Sequence, residues 1–419
     1  MKQNALIIGE SLELACALPS MLFRSGFNVE MITINPIFKK SKFITDCEII
    51  SDRNLFAKQA GQRNLENYDL IVVTEDTTLK HILESDLTTQ QKLKIIPVQK
   101  EENLQHIYSK IALSKILSTA NVNTPAFEIA NCFEEAINYA NKLGYPVMIK
   151  IDASGGGSGV FECQNDNDFA ALKKEIFKQP LLIQKKIIGT ELGLPAFYRD
   201  GKLVHFSYAK IEKVINNKFG PSSLRNYQQL GTLDEQIFAE MSQLGAAIGA
   251  NGFVNISCLQ SGYDNKRYFI EADMRPDSWV EFTKFIGEDP AQRIAAWFKN
   301  QQTLHHPHSI NPQYPTKLLL PYFLRMSLLE ILFNRYLVWK FIPQDDWDFT
   351  WSLIKECVVP KKLKWLCRQI KRSPTTLIRL FVPNKDHRLK IRCYFYDNTK
   401  RLANLLPMRR IFAFVRVKN

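Results

Sequence analysis

Two stretches of this chain carry residue types and spacings that could do chemistry. The first is Arg267-Tyr-Phe-Ile-Glu271-Ala-Asp273-Met-Arg275-Pro276. On a strand, side chains two apart share a face, so Glu271, Asp273 and Arg275 would bring two carboxylates and a guanidinium into one space. That set suits a magnesium nucleotide: Mg²⁺ takes hard oxygen ligands shared with phosphates, and arginine stabilises negative charge on a transferring phosphoryl group or acyl phosphate. A surface strand with exposed alternating charges is the plain alternative. The second stretch is Val147-Met-Ile-Lys150-Ile-Asp-Ala-Ser154-Gly155-Gly156-Gly157-Ser158-Gly159. A short buried strand would carry Lys150 at its far end, and consecutive glycines let backbone N–H groups approach phosphate oxygens without a Cβ in the way. The lysine precedes the glycines, and Val160 and Phe161 follow them, so the loop is not of the Walker A kind. A glycine-rich turn or hinge is the alternative here.

The elements that must position these residues are legible on either side. Residues 1–105 read as a small α/β unit: a strand at Asn4–Gly9, helical spacing over Ser11–Ser25, a second strand at 28–34, a third at Asp69–Thr74 and a fourth at Lys94–Val98. Only Gly9 stands where a dinucleotide fingerprint needs three glycines, so the unit is expected to form a wall of the site and not a dinucleotide pocket. From residue 106 the pattern becomes a helix beginning near Lys110, an extended segment through Thr124-Pro125, a helix over Phe133–Leu143 closed by Gly144-Tyr-Pro, and the strand that ends at Lys150. A further buried strand over Leu181–Lys186 runs into Ile-Ile-Gly-Thr-Glu191.

In this order the pieces resemble the ATP-grasp superfamily, as in carbamoyl-phosphate synthetase, biotin carboxylase and related carboxylate ligases. The resemblance implies an α/β (α+β ATP-grasp) chain. It would have a Rossmann-like N-terminal domain (1–105), an ATP-grasp domain (106–300) and a basic, mainly helical C-terminal extension (301–419). It also implies roles. Lys110, Lys150 and the loop residues Ser154, Gly155, Gly156, Gly157 and Ser158 would face the phosphates of ATP. Gln184 and Lys185 would lie at the adenine and Glu191 at the ribose. Glu271 and Asp273 would hold Mg²⁺, with Mn²⁺ as an alternative ion, and Arg275 and Lys150 would act in catalysis. Three positions depart from the family pattern: Gln184 where many members have glutamate, Asp273 where asparagine is usual, and Ser257 near the place of a further metal ligand, for which Asn255 or Gln260 are the substitutes. Lys210 and Arg225 are substrate candidates, Arg225 either pairing with a carboxylate or standing as a solvated loop charge. Trp279, Glu281 and Phe282 are candidates to line the acceptor pocket, and His205 reads as an ordinary strand residue. The implied reaction is the joining of a small carboxylate to an amine or other nucleophile through an acyl phosphate, with release of ADP and phosphate. A small-molecule kinase, or a scaffold with a degenerate site, is the alternative.

Composition bounds the remainder. With 45% apolar and 23% charged residues over 419 positions, the chain is expected to fold as a soluble protein of two or three domains. The apolar stretch Ala5–Gly9 is short and followed by Glu10 and Glu13, so no cleavable signal is expected, and no window reaches eighteen apolar residues without a charge. Eight cysteines, none in a C-x-x-C pair, suit reduced thiols in a cytoplasmic protein. The net charge of +13 is concentrated: residues 361–419 hold 17 Lys and Arg against 2 Asp and Glu, interleaved with aromatic side chains. Such a segment suits an anionic membrane surface or an acidic partner, giving a peripheral membrane location as an alternative, and equally a basic solvated face with no partner; no nucleic-acid module pattern is present, which ranks nucleic acid below these. The patch His305-His306-Pro-His308 reads as a linker, and the apolar run 316–342, broken by Arg325, Glu330 and Arg335, as helix packed on the body.

Overall fold

The computed structural model describes residues 3–155, 157, 159–172, 179–215, 219–300, 309–322, 324–325 and 345–359. The chain divides into one unit of residues 1–353 and another of residues 354–419, and all elements named below belong to the first. Gly156, Ser158, the three histidines at 305, 306 and 308, residues 326–342 and the basic segment 361–419 lie outside the described residues.

The N-terminal part runs β1 (Gln3–Ile8), α1 (Leu12–Ala15), α2 (Leu18–Arg24), β2 (Phe27–Thr33), β3 (Ile44–Ile49), α3 (Phe56–Gln62), β4 (Leu70–Val73), α4 (Asp76–Glu84) and α5 (Thr89–Ile95). Its four strands are parallel in the order β3-β2-β1-β4. Parallel strands are covered on both faces, and Ala5–Ile8 of β1 are accordingly fully buried. Because Ile8 pairs with Val73, the ends of β1 and β4 deliver Glu10–Glu13 and Glu75–Asp76 to one edge. Two expectations need correcting. The helix over 11–25 is broken into α1 and α2, with Pro19 in the first turn of α2. The strand expected over Lys94–Val98 is instead the end of α5, which Thr88 and Gln91 nucleate with a reciprocal capping box and Pro97 stops; only Val98 pairs, as an isolated bridge to Ala250. The edge strand β3, half exposed, was not legible.

A small antiparallel sheet follows, formed from α6 (Lys110–Thr119), β5 (Phe127–Ala130), α7 (Phe133–Leu143), β6 (Val147–Ile151), β7 (Val160–Cys163), α8 (Asp166–Ala170) and β8 (Leu181–Lys185), in strand order β5-β8-β6-β7. It has a core of its own, in which Val147, Ile149 and Ile183 meet Ala136, Ala140 and Phe169.

The large sheet comprises β9 (Gly189–Gly193), β10 (Ala196–Arg199), β11 (Lys202–Phe206), β12 (Tyr208–Val214), β13 (Ser222–Gln228), β14 (Phe253–Ser261), β15 (Arg267–Asp273) and β16 (Lys317–Pro321), with α9 (Gln236–Ala247), α10 (Pro290–Phe298) and α11 (Trp347–Leu353) around it. The order is β11-β10-β14-β9-β12-β13-β16, and β15 also pairs with β14. One continuous apolar core joins this sheet, α6, α9 and the N-terminal sheet, through residues such as Leu6, Leu113, Leu192, Leu244, Val254 and Phe269. The helix expected over 316–342 gives way at its start to β16, which pairs with β13: Leu320 is fully buried while Leu319 is half exposed, the alternation of a strand, and Pro315 and Pro321 leave too few residues for a helix. No helix among the described residues is long and apolar enough to cross a membrane.

Candidate active site

One cavity of about 620 Å³ opens between the small sheet, the large sheet and the edge of the N-terminal sheet. The phosphate-facing candidates enter it from the small sheet and α6. On β6, Val147 and Ile149 turn into the small core, while Lys150 lines the cavity at 8% exposure. Burial pulls its ammonium down to about 8, opposed by the charge of Glu271 and reinforced by Lys110. Lys110 opens α6, whose first turn is capped twice: Ser109 Oγ accepts from Ala112 N at 3.0 Å, and Asp152 Oδ1 accepts from Ile111 N at 2.8 Å. The Lys110 ammonium donates to the carbonyls of Asp152, at 3.2 Å, and of Ser154. Lys110 therefore clamps the base of the glycine loop as well as lining the cavity. Gly157 sits at φ +78°, and a Cβ there would fall 2.1 Å from the carbonyl oxygen of Phe219, so only glycine fits where the loop meets residues 219–221. Ser154 and Gly155 line the same space.

Gln184 and Lys185 on β8 and Glu191 on β9 line the cavity as well. Gln184 is 2% exposed and donates to Ser114 Oγ at 3.4 Å. Burial raises the Glu191 carboxyl, with Arg225 opposing.

The carboxylate wall is β14 paired to β15, with Asn255 opposite Asp273 and Ser257 opposite Glu271. Asn255 Nδ2 donates to Asp273 Oδ2 at 3.0 Å. Asn255 and Ser257 line the cavity; Gln260, which bonds Asn265, does not. Glu271 is pushed up to about 7, first by the charge of Asp273 and then by burial, with Lys150, Lys110 and Arg275 opposing. Arg275 departs from the expected strand: β15 ends at Asp273, and a tight turn follows in which Arg275 N donates to Asp273 O at 2.7 Å. Its guanidinium still reaches the cavity. Nη2 donates to Asp273 Oδ2 at 2.7 Å, Nη1 to Pro276 O at 3.3 Å, and Nε to Asp76 Oδ1 at 2.8 Å. Asp76 escaped the sequence reading; the one available signal was an acidic pair, Glu75-Asp76, at the C-terminal end of a parallel strand.

Other candidates fall elsewhere. Arg225 is not a solvated loop charge. It lies on β13 at 6% exposure, donates from Nε to Ser222 Oγ at 2.8 Å and from Nη1 to Asp277, and stacks 4.8 Å over the Trp279 ring, yet still lines the cavity. Burial works against the Asp277 carboxylate, but Arg225 and Arg325 together hold it below the usual range. Lys210, on β12, is not among the lining residues. Nor are Trp279, Glu281 and Phe282: the two rings pack in a buried cluster with Tyr227 and Tyr322, and Glu281 pairs with Arg24 at 2.7 Å and Lys284 at 2.8 Å. His205 is buried on β11.

Glu271, Asp273 and Asn255 present an oxygen set that fits Mg²⁺, which commonly takes one or two carboxylates and completes its shell with water and phosphate. The fit shows in the repulsion that lifts Glu271: a divalent cation between the two carboxylates would relieve it. Among the described residues no group of three His, Cys, Asp or Glu converges as a metal site.

Residues 109–187 match the family of the carbamoyl-phosphate synthase L chain, ATP binding domain. The carbamoyl phosphate synthase large chain of Lachnoclostridium phytofermentans is 23% identical over 202 residues, 46% of this chain and 19% of that one. This chain thus spans less than one fifth of the synthase chains it matches. Among solved structures, N5-carboxyaminoimidazole synthase from Aspergillus clavatus, in complex with ADP and 5-aminoimidazole ribonucleotide, superposes with a TM-score of 0.60 at 12% identity, covering 82% of this chain and 87% of that one. The biotin carboxylase domain of Hydrogenobacter thermophilus 2-oxoglutarate carboxylase, in complex with MgADP and bicarbonate, gives 0.56 at 17% identity, with 74% and 72% covered. Residues 109–187 thus match an ATP-grasp ATP-binding domain in sequence, and the fold of the chain is that of ATP-grasp ligases.

Proposed function

We propose that the protein is an ATP-dependent ligase that joins a small carboxylate to an amine or other nucleophile through an acyl phosphate, releasing ADP and phosphate. The observation that carries this reading is the convergence of Lys150, the glycine loop, Glu271, Asp273 and Arg275 on one cavity. Lys150 and the amides of Ser154, Gly155 and Gly157 neutralise and orient the polyphosphate, and Glu191 accepts from the ribose. Gln184 and Lys185 meet the adenine edge. Glu271 and Asp273, with Asn255 or Ser257, would hold Mg²⁺ or Mn²⁺, which when bound would shield phosphate charge and polarise the γ-phosphoryl oxygens. Arg275 stabilises charge as the substrate carboxylate attacks. Most of the catalysis is then positioning and electrostatics, since phosphoryl transfer requires little covalent chemistry from a protein. Arg225, rigid between Asp277, Ser222 and Trp279, fits a carboxylate of the substrate better than Lys210 does.

In this reading residues 1–105 form a Rossmann-like wall and residues 106–300 the ATP-grasp domain proper, in a cytoplasmic enzyme. The 17 basic residues within 361–419 support docking to an anionic membrane surface or an acidic partner, which co-sedimentation with anionic vesicles tests. The ligase assignment is tested by a coupled assay for ADP release across pairs of carboxylates and amines. Release that requires both substrates is expected; release with a single acceptor and a phosphorylated product would make the protein a kinase.

A further inference from the structure

Asp76 belongs to the N-terminal part of the chain, is no part of the nucleotide-binding pattern, and nonetheless lines the cavity with its carboxylate on Arg275. We propose that Asp76 is a positioning residue that keeps Arg275 in the cavity and frees Asp273 to meet the metal of a magnesium nucleotide. The inference rests on the nucleotide reading above.

Two features make Asp76 a fixed anchor. It is the first residue of α4, and the preceding Glu75 is locked in place: its Oε1 accepts from Glu10 N at 2.8 Å and from Ser11 N, and its Oε2 from Thr78 Oγ1 at 3.0 Å. Asp273, by contrast, is contended. Its Oδ2 accepts from both Arg275 Nη2, at 2.7 Å, and Asn255 Nδ2, at 3.0 Å. A metal can take that oxygen only if Arg275 gives it up. With Asp76 present, the guanidinium keeps a charged partner at Nε when it does so. Without Asp76, Asp273 is the carboxylate left hydrogen-bonded to Arg275, and metal and arginine compete for it outright. The side chain is half of a domain-spanning latch, 199 residues from its partner in sequence.

The test is a double-mutant cycle read by titration calorimetry, with ATP as the ligand in the presence of Mg²⁺ and again in EDTA. Asp76→Ala is expected to weaken MgATP binding by roughly tenfold or more, the scale of one hydrogen bond to a charged group. Metal-free ATP should bind unchanged or tighter, because the carboxylate removed faces an anion. In an Arg275→Ala background the Asp76→Ala change should have no further effect on MgATP. Loss of helix stability at the N-terminus of α4 would not produce that pattern, since it would act in both backgrounds and on both forms of ATP. Asp76→Asn, which keeps shape and one acceptor, should show a smaller loss confined to MgATP and serves as the test if the Arg275 variant does not fold. Equal weakening in both backgrounds, or MgATP binding untouched by either Asp76 change, would overturn the proposal while leaving the nucleotide site standing. Absence of any ATP binding by the wild type would remove the underlying reading and this proposal with it.

Discussion

The small sheet and the β14–β15 strands face each other across one cavity, yet they hold their polar groups in opposite ways. Among the described residues Lys150 Nζ has no hydrogen-bond partner, and burial, reinforced by the charge of Lys110 and opposed by that of Glu271, pulls it down to about 8. On the other wall Asn255, Asp273, Arg275 and Asp76 form a bonded chain with every link between 2.7 and 3.0 Å. The lysine wall keeps a charge that costs free energy until an anion arrives. On the carboxylate wall an internal guanidinium already occupies Asp273 and Asp76, so a ligand there must exchange partners. Affinity for phosphate should therefore be concentrated on the small sheet, and metal dependence on the large one.

The harshest way to break this contrast is at Glu271. Removal by Glu271→Ala of a carboxylate proposed to hold the metal should lower ATP turnover by about three orders of magnitude, from the several kcal/mol a metal ion contributes to phosphoryl transfer. Turnover within tenfold of wild type would take Glu271 out of the site. Next in size is Asp277→Ala, which leaves the buried Arg225 without its carboxylate; unfolding in denaturant should show a loss of about 3–5 kcal/mol. The same measurement on Lys150→Ala should show no loss, or a gain, because the side chain removed is a desolvated ammonium without a hydrogen bond. A destabilised Lys150→Ala would contradict the picture of an unpaired wall.

Smaller effects sharpen the contrast. Gly157→Ala forces a Cβ toward Phe219 at a positive φ and should weaken ATP binding by about 1–3 kcal/mol with little effect on the bonded chain opposite. The depressed Lys150 gives a pH signature. The free ammonium loses its proton above about pH 8, and bound phosphates raise its pKa again. ATP affinity should thus fall as pH rises above 8, and binding there should take up a proton. Calorimetry in buffers of different ionisation enthalpy reads that uptake, which should vanish in Lys150→Ala.

The parts of this design that are local in sequence were legible there. α6, α7, β6 and β8 are bounded by Ser109, Gly144, Pro146 and the glycine loop, and their apolar spacing matches their faces. Lys150, Glu271 and Asp273 meet because each sits at the inward register of a short strand. What was not legible depends on partners far along the chain. Arg225 reads as a loop charge because Ser-Ser-Leu-Arg-Asn-Tyr-Gln turns polar residues inward, toward a cavity and toward Asp277, instead of showing an apolar face. β16 carries a leucine run that suits a helix until β13 is known to lie beside it. Lys94–Val98 has strand-like residues, but the capping box upstream fixes α5 first. Asp76 could not be singled out without the fold that sets it 2.8 Å from Arg275.

The most direct test of the central claim is calorimetric titration of ATP, with and without Mg²⁺, into the wild type and Lys150→Ala. Magnesium-dependent binding by the wild type, reduced at least a hundredfold or so in the variant as expected for loss of a buried charge opposite phosphate, is the result this architecture requires. Equal affinities in the two proteins, or no ATP binding by the wild type, would contradict it.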